Sequence, residues 1–267
     1  MASSQVPTKL DYYDDMQKLE TKARVLSFIK GDDGKETLIL DATVFYPQGG
    51  GQPADTGFIT AADVDSATTT TTTFKFTVQD VRSKDGIVYH YGVAEGCSGE
   101  DPKKEIKEGT EVFLRVDETR RKLNSRLHSA GHLLDACLPN VGLGHLKPGK
   151  AYHFPDGPWV EYKGTVPQNE LQTKQKEIEI EANGLISKGG KIIAAEMSYD
   201  EACEWCGGSL PDYISKGSNP RIVKLGDNPG CPCGGTHVPD ISDIESVKVS
   251  QIRTKKGVTK VSYTVEA

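Results

Sequence analysis

Two pairs of metal-binding residue types, separated by about a hundred positions, constrain the fold of this 267-residue chain more than any other feature. His128 and His132 are four apart in a helix-like segment, so their imidazoles project from one face about 6 Å apart. Cys233 and His237 are also four apart, but the two glycines between them indicate a tight turn instead of a helix. Three imidazoles and one thiolate have the number and softness of ligands that Zn²⁺ prefers. We therefore predict one zinc site that joins the helix to the turn.

The other cysteines leave a second arrangement open. The chain contains six cysteines, and residues 1–15 have no apolar run of the secretory type, so metal ligation is favoured over a disulfide framework. A zinc site made only of thiolates is an alternative, although it leaves the three histidines without a role. A redox or surface role is a further alternative for the Cys203-x-x-Cys206 pair. The thiolate alternative uses Cys203, Cys206, Cys231 and Cys233.

The composition excludes several classes of protein. Hydrophobic residues make up 36% of the chain and charged residues 26%, which is typical of a globular protein and not of a disordered or fibrous one. No stretch approaches the roughly 20 apolar residues that cross a bilayer, so we expect a cytoplasmic protein without membrane contact. The formal charge of −6 argues against a protein that coats nucleic acid, but it is compatible with a local basic patch.

The N-terminal part of the chain has the pattern of a small all-β domain. Runs of β-branched and aromatic residues alternate there with turn signals rich in Gly and Asp, which predicts short strands in a small barrel or sandwich. The threonine run Thr68–Thr73 is interpreted as an exposed loop or an extension of an edge. The predicted strands are Ala23–Ile29, Thr37–Phe45, Phe74–Val81, Ile87–Tyr91 and Glu111–Val116.

The pattern changes at Glu118, where a helix is predicted up to Leu138 with one apolar stripe of leucines. A second helix is expected at Asn169–Ser187, and the segments around both helices have strand character. We therefore predict an N-terminal extension (1–20), a small β-barrel domain (21–117) and an α+β domain (118–267), in which the His-x-x-x-His helix packs on an antiparallel sheet. The strands predicted there are Trp159–Tyr162, Lys191–Met197, Arg221–Leu225, Ser246–Arg253 and Thr259–Val265.

Three motifs resemble those of a known family. His128-Ser-Ala-Gly-His132-Leu-Leu and Cys233-Gly-Gly-Thr-His237-Val are similar to the two signature motifs of the alanyl-tRNA editing domain. The segment Leu40–Gly57 resembles the glycine-rich segment of that family's N-terminal barrel. The domain occurs inside alanyl-tRNA synthetase and as free-standing AlaX proteins, and the threonyl-tRNA synthetase editing domain is a relative. The resemblance covers about residues 20–265, and the motifs follow one another in the family's order.

The resemblance implies a zinc-dependent deacylase that acts in trans, without ATP, on tRNA(Ala) mischarged with serine and sometimes with glycine. By position, the zinc ligands are His128, His132, Cys233 and His237, and the glycine-rich segment lines the editing pocket. Serine differs from alanine by one hydroxyl, so the pocket needs a polar partner for it. Thr43, Gln48, Gln52 and Thr236 are candidates for that partner. The predicted substrate-binding residues are Gly49, Gly50, Gly51, Gln52 and Thr236.

Binding of a tRNA acceptor end requires phosphate contacts despite the net negative charge. Basic residues concentrate at the start of the histidine helix and in a C-terminal stretch without acidic residues between Lys248 and Lys260. A solvated surface is the alternative interpretation of both clusters. The predicted tRNA-binding residues are Arg120, Arg121, Lys122, Arg126, Lys255 and Lys256.

Other functions are compatible with the same residues. The main alternative is a catalytically inactive, zinc-containing protein that binds tRNA or a synthetase. A hydrolase acting on a different aminoacyl-tRNA or a small ester, and a protein in which zinc is purely structural, are the others. The residue that activates water is not identified by any motif.

Overall fold

The computed structural model describes residues 6–31, 35–64, 70–96 and 106–266. These residues divide into two compact units. The first unit contains the described residues up to Gln48 together with Pro53–Arg121. The second contains Gly49–Gln52 and the described residues from Lys122 onward. The α+β class, the barrel and the helical His-x-x-x-His predicted from the sequence are confirmed.

The first unit is a closed six-stranded antiparallel barrel with the strand order β2-β3-β7-β6-β5-β8. Side chains that alternate along the strands fill its interior, as in β8, where every second residue is buried. A short parallel pair, β1 with β4, and the one-turn helix α1 (Asp11–Asp14) complete the unit. The strands are β1 (Lys9–Leu10), β2 (Glu20–Lys30), β3 (Glu36–Leu40), β4 (Ala42–Thr43), β5 (Gly57–Val64), β6 (Thr70–Lys84), β7 (Ile87–Gly96) and β8 (Glu111–Val116).

Two predictions in this unit needed correction. The strand β5 was not predicted, because it begins at Gly57, the last residue of the glycine-rich segment, and its β-branched residues are interrupted by Ala61, Ala62 and Asp63. The predicted strand Thr37–Phe45 is two shorter strands, β3 and β4, interrupted at Asp41. Thr70–Thr73 belong to β6, while Thr68 and Thr69 lie outside the described residues.

The second unit packs two long helices, α2 (Glu118–Asn140) from Lys122 onward and α3 (Leu171–Lys188), on an antiparallel sheet. Asp117 directly precedes α2 and caps it, because its side chain accepts a hydrogen bond from the Arg120 N–H. The predicted leucine stripe of α2 faces the core, since Leu127, Leu134 and Leu138 are buried. The sheet has the order β14-β15-β10-β9 and consists of β9 (Lys147–Tyr152), β10 (Trp159–Lys163), β14 (Ser246–Lys255) and β15 (Val258–Glu266).

A second, three-stranded sheet carries the turn that contains Cys233 and His237. Its order is β11-β12-β13, and the short helix α4 precedes its central strand. Neither α4 nor β9 was predicted from the sequence: α4 is only seven residues long, and β9 contains Pro and Gly. None of the described helices combines the length and apolarity needed to cross a membrane. The elements are β11 (Ile192–Glu196), α4 (Tyr199–Trp205), β12 (Arg221–Leu225) and β13 (Cys231–Pro232).

Candidate metal centre

The four residues predicted as metal ligands meet in the second unit. One nitrogen or sulfur atom from each of His128, His132, Cys233 and His237 lies within 4.8 Å of the others. The two helical histidines project from successive turns of α2, as their spacing of four requires. Cys233 and His237 follow β13 in a segment without regular secondary structure. The local spacing of each pair and the packing of α2 beside this segment together form the cluster.

The distances between the donor atoms fit one small cation. His128 Nε2 lies 3.2 Å from His132 Nε2, and Cys233 Sγ lies 3.5 Å from His128 Nε2 and 3.4 Å from His237 Nε2. Zinc bonds of about 2.0 Å to nitrogen and 2.3 Å to sulfur give tetrahedral edges of roughly 3.3–3.6 Å. The lone pairs of two neutral imidazole nitrogens that face each other at 3.2 Å repel each other. A cation bound by both lone pairs removes this repulsion. Three of the six distances are therefore close to the edges of a zinc tetrahedron and all six are within 4.8 Å, so the donor set fits zinc in its chemistry and comes close to its spacing.

The second nitrogen of each imidazole has its own partner, which fixes the orientation of the ring. His128 Nδ1 donates to Gln52 Oε1 at 2.7 Å, and His237 Nδ1 lies at hydrogen-bond distance, 3.1 Å, from Ser129 Oγ. His132 Nδ1 lies 3.1 Å from Cys231 Sγ. With the proton on Nδ1, the lone pair of each Nε2 points to the cluster, which is the form that binds a metal.

Burial keeps the imidazoles in this neutral form. It lowers the pKa of His132 to about 4 and lowers the pKa values of His128 and His237 well below the ordinary value, with the neighbouring histidines as a smaller cause. Burial also raises the pKa of the Cys233 thiol, although a hydrogen bond from the Gly235 N–H opposes this. A cation at the cluster would hold the thiolate, so metal binding releases the thiol proton.

The glycine-rich segment lies against this cluster. Gly50 and Gly51 adopt φ of 53° and 82°, a left-handed conformation that favours glycine, and the turn closes between Gly49 and Gln52. This turn places the Gln52 side chain within hydrogen-bond distance of His128. Gly50 and Gly51 line a cavity of about 620 Å³ beside the cluster.

Gln52 and Thr236 support His128 and do not line this cavity. Both are fully buried, and Gln52 Nε2 donates to Thr236 Oγ1 at 2.9 Å while Gln52 Oε1 accepts from the Thr236 N–H. The Thr236 hydroxyl is also bonded to Ser125 Oγ. This network corrects the prediction that Gln52 and Thr236 contact the substrate directly, because their polar groups are engaged by protein.

The other two candidates for a serine-hydroxyl partner belong to the first unit. Thr43 is fully buried, and its hydroxyl is bonded to His90 Nε2 and to the Phe45 N–H. Gln48 is exposed at the end of the barrel segment. Thr43 is therefore excluded as that partner.

A buried polar side chain of the cavity, His153, was not among the residues predicted from the sequence. His153 is 3% exposed, lines the cavity, and stacks on His128 with a centroid distance of 4.6 Å. Its Nδ1 lies 2.7 Å from the hydroxyl of Tyr263, and burial lowers its pKa to about 3. A lone histidine in a segment of mixed polarity has no spacing signal, so only the folded chain reveals its proximity.

The cysteines outside the ligand pairs do not form a second centre. Within the described ranges, the one group of three or more metal-binding side chains is the histidine–cysteine cluster. The thiolate alternative is therefore wrong, because Cys233 lies with the histidines. Cys203 and Cys206 lie in and just after α4, and Cys231 contacts His132. Cys97 is outside the described residues.

The predicted tRNA contacts separate into exposed and engaged residues. Lys122, Lys255 and Lys256 are exposed, and so is Arg120, although its Nε donates to the Ala54 carbonyl at 3.0 Å. Arg121 is buried, and it forms an ion pair with the buried Asp55. This contact corrects the prediction for Arg121, since its guanidinium is not accessible to a phosphate.

Arg126 is also held by the protein. Its guanidinium donates to the backbone carbonyls of Ile244 and Glu266 and forms an ion pair with Glu245. The side chain is only 15% exposed. We therefore assign Arg126 to the stability of the second unit and not to tRNA binding.

Two helical glycines provide a matched test of how tightly the site is packed. A Cβ on Gly131 would lie 2.3 Å from His153 Cε1 and 3.1 Å from the Tyr263 hydroxyl, whereas a Cβ on Gly184 would meet nothing within 4 Å. Gly131→Ala should lower the free energy of unfolding by about 1–3 kcal/mol through overpacking, despite the better helix propensity of alanine. Gly184→Ala should raise it by about 0.5–1 kcal/mol. Urea denaturation measures both, and stabilisation by both variants would contradict the packing at His153.

The fold and the site together define a class: an α+β protein with an N-terminal barrel and a buried three-histidine, one-cysteine centre beside a cavity. Residues 4–120 match the model of the class II (A) tRNA synthetases, and residues 221–261 match the second additional domain of threonyl and alanyl tRNA synthetases.

Curated relatives extend over nearly the whole chain. The alanyl-tRNA editing protein AlaX-L of Pyrococcus horikoshii is 32% identical over 95% of this chain and 57% of its own length. An alanine–tRNA ligase of Methanosarcina barkeri is 30% identical over 96% of this chain and 26% of its own length, and one of Fervidobacterium nodosum is 31% identical over 91% and 26%. The chain is therefore similar over nearly its whole length to an alanyl-tRNA editing protein and to one part of alanine–tRNA ligases. It spans little more than half of AlaX-L and about a quarter of these ligases.

Proposed function

We propose that the chain is an aminoacyl-tRNA deacylase that hydrolyses the ester of tRNA(Ala) mischarged with serine or glycine. The observation that carries this proposal is the convergence of three imidazole nitrogens and the Cys233 sulfur beside a cavity that the glycine-rich segment helps to line. The editing function in the name of the relative AlaX-L supports the same reaction.

Zinc is the metal that the donor set fits, with His128, His132, Cys233 and His237 as its ligands. When bound, it supplies a Lewis acid that polarises an ester carbonyl or lowers the pKa of water. The protein's own contribution is orientation: Gln52, Ser129 and Cys231 contact the outer nitrogens of the three rings. Such outer partners typically change metal affinity or activity 10–100-fold when they are removed.

Discrimination between serine and alanine explains why a hydrolytic site is needed. A pocket that accepts alanine rejects the added hydroxyl of serine only about 100-fold. A second site that hydrogen-bonds this hydroxyl binds the seryl ester and leaves its own polar group unpaired with the alanyl ester. The tRNA itself would be held by exposed basic residues, for which Arg120, Lys122, Lys255 and Lys256 are our candidates.

A panel of charged tRNAs tests the proposal. The protein should hydrolyse Ser-tRNA(Ala) at least tenfold faster than Ala-tRNA(Ala) in the absence of ATP, and Gly-tRNA(Ala) is measured beside them. A chelator should abolish this hydrolysis, and added Zn²⁺ should restore it, because the metal supplies the electrophile. The rate of ester loss is measured by acid precipitation of labelled aminoacyl-tRNA.

Circular dichroism recorded with the chelator distinguishes the alternatives. A chain that binds zinc and tRNA but hydrolyses none of the three esters would be a binding protein and not a deacylase. A chain that unfolds on chelation and hydrolyses no ester would use zinc only for its structure.

A further inference from the structure

Among the described residues, His153 is the buried polar side chain that lines the cavity without belonging to the metal cluster. It lies in the second unit just after β9, it is nine-tenths or more buried, and its ring stacks on that of His128. A buried imidazole needs partners for its polar atoms. Its two nitrogens can be assigned separately from the contacts around the ring.

The Tyr263 hydroxyl fixes the tautomer of His153. This hydroxyl has a single proton, and it lies 2.9 Å from the backbone carbonyl of Leu127, which can only accept. The hydroxyl must therefore accept from His153 Nδ1, which lies 2.7 Å away. With the proton on Nδ1, Nε2 of His153 carries a free lone pair.

The packing of the ring determines where this lone pair points. The Cε1 and Nδ1 atoms lie against the backbone of Gly131, and Cδ2 lies beside Gly51. The His153 N–H also donates to the Gly51 carbonyl at 2.8 Å, which anchors the backbone of His153 to the glycine-rich turn. The polar atom that remains for the cavity is Nε2, and it has no hydrogen-bond partner among the described residues.

We infer that His153 Nε2 accepts a hydrogen bond from the side-chain hydroxyl of a seryl ester, and that it thereby sets the preference for serine over alanine. This inference rests on the proposed function. It is favoured by what the other candidates do: the groups of Gln52 and Thr236 bind each other, and Thr43 is bound to His90 in the first unit. An alanyl ester leaves the Nε2 lone pair unsatisfied, which penalises the cognate ester.

Two non-hydrolysable probes measure this preference directly. They are 3′-(L-seryl)amino-3′-deoxyadenosine and its alanyl counterpart, in which an amide replaces the ester. The wild-type protein, loaded with zinc, should bind the seryl probe about tenfold more tightly in isothermal titration calorimetry, as one net hydrogen bond provides. His153→Leu should bind both probes equally, because leucine fills the space without an acceptor.

A conservative variant separates this role from a structural one. His153→Gln places an amide oxygen near the position of Nε2, and it should retain at least about threefold preference for the seryl probe. Zinc content by mass spectrometry should equal that of the wild type in both variants. A His153→Leu protein that keeps the tenfold preference, or a His153→Gln protein without any, would overturn the assignment.

The same measurements distinguish failure of this inference from failure of the deacylase proposal. If the wild type prefers the seryl probe but hydrolyses no ester, the deacylase proposal fails and the assignment of His153 stands. If the wild type hydrolyses Ser-tRNA(Ala) but binds the two probes equally, the assignment of His153 fails and the deacylase proposal stands.

Discussion

His132→Ala should lower the rate of Ser-tRNA(Ala) hydrolysis by at least about 100-fold. Residues that only hydrogen-bond to a metal ligand typically change metal affinity or activity 10–100-fold when they are removed, and loss of a ligand itself should have at least the larger effect. His132 Nε2 lies 3.2 Å from His128 Nε2 in the cluster, so alanine removes one of four donors. The measurement is a single-turnover deacylation assay, combined with the zinc content of the purified protein. His145→Ala is the matched control, since His145 is an exposed histidine of the same unit that is not in the cluster.

In the His132→Ala variant, the Cys231 thiol could take the place of the missing imidazole, and a double variant tests this. Cys231 Sγ lies 3.1 Å from His132 Nδ1 and could approach the cluster once the imidazole is gone. The double variant His132→Ala, Cys231→Ser removes this replacement donor, and it should lose any residual zinc that the single variant retains. A folded double variant with wild-type activity would show that the cluster is not needed for hydrolysis.

The ligand pairs were predictable because each is local in sequence. A spacing of four on a helix places two side chains on one face, and glycines between Cys233 and His237 indicate a turn. The two pairs were joined by ligand chemistry and by the family resemblance. Strand prediction also depended on local composition: Glu111–Val116 is rich in β-branched and aromatic residues and is found with the predicted bounds, whereas β9 contains Pro148 and Gly149 and was missed.

The residues that complete the site were not predictable, because their roles depend on contacts between distant segments. His153 reaches the cluster through Gly51 and Tyr263, which are about a hundred residues away in either direction. Gln52 was expected in the pocket, but its amide is bound to Thr236, 184 positions further on. Neither pairing leaves a periodic or compositional trace in the sequence.

Arg121 is a charged residue whose role could not be predicted from the sequence. Its replacement is the second variant for which we expect a large effect, a loss of stability. The sequence places Arg121 in a basic cluster, which predicts an RNA contact. In the folded barrel unit its Nε and Nη2 both donate to Asp55 Oδ2, and Nη2 also donates to the Val44 carbonyl. Asp55 is fully buried and accepts in addition from the Tyr46 N–H. Arg121 is therefore the counter-ion of a buried carboxylate.

Arg121→Met should lower the free energy of unfolding by about 3–5 kcal/mol, because Asp55 then remains buried without its counter-ion. Lys122→Met is the neighbouring control: this lysine is exposed, so its replacement should change the stability by less than about 0.5 kcal/mol. Urea denaturation of the variants gives both values.

A double variant and a binding assay separate the cost of the unpaired charge from a role in RNA binding. Arg121→Met, Asp55→Leu removes both charges from the interior, so it should recover most of the stability that the single variant loses.

For tRNA binding, Lys122→Met should reduce the dependence of log K on log salt by about one unit if this lysine neutralises one phosphate, whereas the double variant should leave the slope unchanged. A stable Arg121→Met protein with a reduced salt slope would instead restore Arg121 to the RNA-binding surface. The expected contrast arises because a guanidinium enclosed by a carboxylate and backbone carbonyls has no free donor face for a phosphate.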